Sequence, residues 1–147
     1  MTDLKIMIVP QTHVDFAWAD GANTLHEVCS LVDEITESQL KLILSRGERT
    51  LAQLVEDGEI VGWVCWVISN LPNKRVLHVM GIVAHNAQSE RFFPNLNEIA
   101  VLCGCSGIRY SAHPAQARMN RMKAKALGME ARDLYTTYEV NVARETK

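Results

Sequence analysis

Apolar residues recur along this chain with two different spacings, and the points where one gives way to the other outline its elements. Leu4–Val9 is short, apolar and β-branched, and Pro10 follows it, which predicts a first strand. His13–Asp20 is aromatic and acidic and opens a helical or looped stretch. Thr24 and Glu27 then have capping-box spacing, in which two side chains satisfy the N–H groups that open a helix. Leu25, Val28, Cys29 and Val32 follow at i, i+3, i+4 and i+7, one buried helical stripe. Thr36 and Gln39 repeat the box, Leu40, Ile43 and Leu44 supply the apolar face, and Gly47 stands where a terminating glycine belongs.

From Thr50 the period becomes two. Thr50–Glu56 and Glu59–Ser69 read as strands joined by Asp57-Gly58, a pair that tolerates the positive φ of a type I′ turn. Asn70-Leu71-Pro72-Asn73 is a turn cluster, and Arg75–Ala84 is a further strand, so the middle of the chain is an antiparallel meander. His85–Phe93 is polar and irregular. Asn95, with Glu98 three residues on, can cap a helix whose buried stripe is Leu96, Ile99, Ala100 and Cys103 and whose end is Gly104. Ile108–Ala112 predicts a short strand. Pro114 suits the first turn of a helix that buries Ala115, Met119, Met122 and Ala126 and closes at Gly128. Leu134–Val142 alternates as a last strand. The order β-α-α-β-β-β-α-β-α-β over residues 1–147 predicts one α+β domain, a mostly antiparallel central sheet flanked by helices.

Composition narrows the class. The chain is 48% hydrophobic and 22% charged, which excludes a disordered chain or a disulfide scaffold. A net charge of −2 gives no general attraction to nucleic acid or an anionic membrane. The longest apolar runs, Ile60–Ile68 and Val76–Ala84, are far short of a membrane span of about 20 residues. With no export signal, Cys29, Cys65, Cys103 and Cys105 read as reduced core thiols. The expected location is the cytoplasm of a cell or a virion.

Three stretches carry a resemblance: the hairpin Gln53–Gly62, the helix end and new strand at Cys103–Arg109, and the closing helix with Ala126-Leu127-Gly128-Met129 before a terminal strand. Together they resemble the Gcn5-related N-acetyltransferase (GNAT) family, and more narrowly the small GNAT-like proteins of tailed bacteriophages. The resemblance implies acetyl-CoA as cofactor, a glycine-containing pyrophosphate loop after the fourth strand, and a Tyr in the closing helix that protonates the leaving thiolate. Here the loop, Ala84–Phe93, contains no glycine, and the Tyr position is Ala124. Side chains with a Cβ resist the positive-φ conformations of a phosphate nest. The expectation is therefore a catalytically degenerate GNAT-like protein, virion-associated or accessory, acting through contacts with other proteins. The alternative is an acetyl-CoA-dependent N-acetyltransferase acting on an amine of a small molecule or protein.

Several residues are candidates for chemistry. His78 is the one titratable group inside the fourth strand and is the candidate general base; the ordinary alternative is a histidine facing outward or bonded in the sheet. His85, Asn86, Gln88 and Ser89 offer side chains and N–H groups to a cofactor phosphate, or form a solvated loop. Arg118, Arg121 and Lys125 share one helix face, where Arg118 could meet a nucleotide phosphate; without interleaved aromatics the row argues against specific nucleic-acid binding. Cys103 and Cys105, with His113 or His85, lack zinc spacing, so no metal is expected. Trp63 and Trp66 face opposite sides of a strand, one in the core and one half exposed. Phe92-Phe93 closes the core or anchors an interface.

Overall fold

A computed structural model describes residues 2–29, 34–85, 88–111, 114–134 and 138–142. Among the described residues five strands form one sheet in the order β1-β2-β3-β4-β5. They are β1 (Leu4–Val9), β2 (Thr50–Glu56), β3 (Glu59–Leu71), β4 (Lys74–Ala84) and β5 (Gly107–Tyr110). The first four pair antiparallel, and β5 joins β4 in parallel. Helices α1 (Val14–Ala19), α2 (Leu25–Cys29) and α3 (Glu37–Ser45) separate β1 from β2. Helix α4 (Phe93–Leu102) lies between β4 and β5, and α5 (Pro114–Ala126) follows β5. The α+β architecture read from the sequence is present.

Local chemistry explains the turns. Asp57 and Gly58 take φ of 49° and 85°, the pair of positive values that a two-residue primed turn requires. The same Asp57 accepts from the Asp3 N–H through Oδ1 and donates its own N–H to the Asp3 carbonyl, each at 2.8 Å, which docks the chain start onto the hairpin. The box at α3 forms as expected: Gln39 N–H donates to Thr36 Oγ1 at 3.2 Å and Thr36 N–H to Gln39 Oε1 at 2.9 Å. Gly47, with φ of 73°, ends α3 in a Schellman motif.

Two expected caps do not form. The Thr24 hydroxyl donates back to the Gly21 carbonyl at 2.8 Å, so it finishes a 3₁₀ turn rather than capping α2. Asn95 lies inside α4, which begins at Phe93 after a 3₁₀ turn over Ser89–Phe92, and its amide donates to the Leu4 carbonyl at 3.0 Å. Pro94 needs no N–H partner, and this moves the helix start upstream of Asn95.

The sheet is buried on both faces. One face carries Leu51, Trp63 and Cys65 against Val14, Leu25, Leu40 and Leu44. The other carries Leu54, Val64, Trp66, Leu77 and Val79 against Phe92, Leu96 and Ala100. Trp63 and Trp66 do face opposite sides, but both are buried, at 4% and 3% exposure; the half-exposed tryptophan expected from spacing is absent because helices cover both faces. Phe92 closes the core, and Phe93 packs beside it with its ring 6.0 Å from that of Tyr110.

The C-terminal third departs most from expectation. Met119 and Met122 are 56% and 65% exposed, whereas Ala124 is buried. Helix α5 thus faces inward through a small side chain that permits close approach, and its methionine stripe faces out. Leu134 and residues 138–142 are not in a strand, and 135–137 lie outside the described residues, as do Val32, Ala112, His113 and the side chain of Ala115. Cys103 is exposed rather than in the core, because α4 ends there.

Phe92→Ala should cost about 3–5 kcal/mol, the usual range for emptying a fully buried aromatic site. Gly62→Ala should cost about 1–3 kcal/mol, because its Cβ would strike the Val83 carbonyl across the β3–β4 pair. Denaturant unfolding of both variants checks these values; wild-type midpoints would contradict the packing described.

Candidate functional site

The site begins where two strands part. Parallel pairing of β4 with β5 covers only Val76–Val79 against Gly107–Tyr110, while β4 runs on to Ala84. Beyond Val79 no strand covers that side of β4 among the described residues. Just there the β3–β4 register shifts: Trp66 pairs with Val79 and Cys65 with Gly81, leaving Met80 as a bulge. Gly81 is required by close packing, since a Cβ on it would meet the Cys29 sulfur. Among the described residues, this leaves the Met80–Ala84 stretch of β4 without a strand partner on that side, its backbone groups placed to hydrogen-bond an extended chain.

His78 stands one pair before the parting. Leu77 and Val79 point into the core beneath α4, so His78, between them, points to the opposite face, where α2 lies across β4. It is half buried. Burial first, then the Arg109 and Arg49 guanidinium groups, hold its imidazole below the ordinary histidine value. His78 is therefore unprotonated near neutrality and able to accept a proton. Its depressed folded value makes a stability contribution that is present above the unfolded pKa of about 6.5 and lost as pH falls through the folded value.

Two arginines act on it. Arg109 on β5 pairs directly with His78, and its Nε is buried without a hydrogen-bond partner. Arg49, just before β2, adds a weaker positive charge that acts on His78, Cys29 and Cys65. Cys29 Sγ lies 3.7 Å from Cys65 Sγ. The Cys65 hydrogen bond and, more weakly, Arg49 lower the Cys29 thiol against its burial; the same bond and burial raise Cys65 well above the usual thiol range. Tyr110, the last residue of the parallel pair, has its phenol raised by burial and so keeps its proton.

The loop after β4 is built differently from a glycine nest. None of the described residues from 84 to 93 takes a positive φ, and Ser89–Phe92 forms a 3₁₀ turn. Glu90 meets Lys123 at 3.3 Å, and Arg91 forms a two-pronged pair with Glu56 at 2.6 and 3.3 Å, tying the turn to α5 and to the hairpin. His85, Gln88 and Ser89 follow the free edge of β4; Asn86 lies outside the described residues. The basic row on α5 is broken. Arg118 and Lys125 are exposed, while Arg121 is held by Asp133 at 2.7 and 2.8 Å. Among the described residues no cluster of His, Cys, Asp and Glu could hold a metal, and no helix is long and apolar enough to cross a membrane.

Comparison of this architecture with solved structures finds acetyltransferases. A ribosomal-protein-alanine N-acetyltransferase from Brucella melitensis superposes with a TM-score of 0.66 at 14% identity, covering 96% of this chain and 100% of its own. A probable acetyltransferase gives 0.66 at 15% identity, over 96% and 99%. An aminoglycoside N-acetyltransferase in complex with CoA gives 0.60 at 14% identity, over 97% of both chains. The chain has a GNAT-like fold. No protein-family model and no curated protein matches it. The expected virion role and tailed-phage likeness have no support among these neighbours.

Sequence spacing singled out His78 but not its companions. An arginine between Ile108 and Tyr110 in an apolar strand was the available signal for Arg109; nothing local marks Arg49, which follows a helix end. Arg109→Gln should raise the His78 titration midpoint toward the ordinary value, as followed by histidine ring resonances. An unchanged midpoint would show that the guanidinium does not act there.

Proposed function

We propose that this protein is an acyl-CoA-dependent N-acyltransferase, with acetyl-CoA as donor and an amine as acceptor. The observation that carries this reading is the parting of β4 from β5 beside an unprotonated His78. The likeness of fold supports it, and the CoA-bound neighbour agrees with the cofactor class.

The residues present fit the amide arm of coenzyme A. The free β4 edge from Met80 to Ala84 would take it as an added strand, with His85, Gln88 and Ser89 at the end nearest the phosphates and Arg118 as the exposed cation for a terminal phosphate. The phosphate contacts then come from side chains and helix N–H groups rather than a glycine nest. When bound, the cofactor supplies an acyl group activated as a thioester. His78 takes the proton of the acceptor ammonium, which frees the nitrogen lone pair. Tyr110 keeps its proton, but its pairing with Val79 and its ring contact with Phe93 put it on the α4 face, opposite His78, so it is not placed as the site's proton donor.

Acetyl-CoA should raise the melting temperature, because a ligand selective for the folded state stabilises it by mass action. Calorimetric titration checks the binding directly, and no heat and no thermal shift at millimolar ligand would remove this reading. With an active acceptor in hand, His78→Gln should lower kcat by about 10²–10⁴-fold and leave acetyl-CoA affinity unchanged; equal loss of affinity would assign His78 to structure.

A further inference from the structure

Among the described residues, the charges that act on His78 are two guanidinium groups, those of Arg109 and Arg49. The ion pairs of the described residues join Lys5 to Asp3, Lys41 to Asp15, Arg91 to Glu56, Arg121 to Asp133 and Lys123 to Glu90; neither Arg49 nor Arg109 has an acidic partner. Both guanidinium groups disfavour protonation of the His78 imidazole. Arg109 in addition keeps a buried N–H unbonded, and such a donor costs free energy unless something accepts from it. Arginine is also the side chain whose planar fork matches a carboxylate. We propose that Arg109, with Arg49 adding to the local positive charge, forms an anion site for the acceptor, so that the substrate is a small amine bearing a carboxylate, its anion on the Arg109 guanidinium and its amine beside His78.

This assignment rests on the acyltransferase reading for the role of the amine, while the anion site stands on the register pairing of Arg109 with His78 and on the unbonded Arg109 Nε. The anion is not a phosphate of the cofactor. His78 and Ala84 are six residues apart on one strand, about 20 Å at 3.3 Å per residue, so Arg109 lies well away from the loop that follows Ala84. The occupant therefore arrives from the acceptor side. A polyamine or other dication is excluded there by charge.

Two measurements test the site. In the first, wild-type protein with acetyl-CoA is offered the common amino acids and, separately, their amides and putrescine, with release of free thiol followed. Transfer to amino acids at least tenfold above the matching amides is expected, the scale of a lost charge-assisted contact. Equal or better transfer to amides or putrescine overturns the proposal. In the second, sodium acetate is titrated against sodium chloride at matched ionic strength while the His78 ring resonances are followed. A saturable response specific to acetate is expected, weakened at least tenfold in Arg49→Gln/Arg109→Gln protein of wild-type thermal stability. No response, or one that the double variant keeps, overturns the proposal. An arginine-dependent acetate response with no transfer to any amine would retain the anion site and discard the acyltransferase reading.

Discussion

Everything distinctive about this molecule follows from one strand that outlasts its neighbour. β4 runs for 11 residues, and β5 pairs with only four of them. Backbone N–H and C=O groups must find partners, so a strand edge left uncovered inside a fold is either a liability or a binding surface. Here the register shift at Met80 and the close packing at Gly81 disturb β4 at the same point, where the parallel pairing stops. The disturbance is local because the rest of β4 is held on its other side by β3 along almost its whole length.

Burial on both faces makes that opening possible. Trp63 and Trp66 anchor opposite layers, and each layer has its own set of aliphatic side chains. The sheet can therefore part at one edge without exposing its core. His78, Arg109 and the Cys29–Cys65 pair share the face beneath α2, where burial strengthens the electrostatic effects on them, that of Arg49 included. The 3₁₀ turn before α4 is tied down by the ion pairs Arg91–Glu56 and Glu90–Lys123.

The hairpin, the α3 capping box and the three glycine-terminated helix ends were legible in the sequence, because each depends on side chains within a few residues of one another. His78 stood out in the sequence as a titratable group in an apolar strand, and its catalytic role is a proposal. The caps proposed at Thr24 and Asn95 failed because each side chain found a backbone carbonyl of another turn or strand instead. The orientation of α5 was misread for a related reason: two methionines are the larger apolar residues, yet the helix approaches its neighbours through Ala124.

The sequence by itself determined the alternation of elements, their turns and the α+β class, since propensity, capping and positive φ act over short separations. Tertiary structure alone decided which strands part, which faces are covered, and that Arg49 and Arg109, 60 positions apart in number, act on one histidine. Charges converge across a sheet through strand order and register, and no short window of sequence contains either.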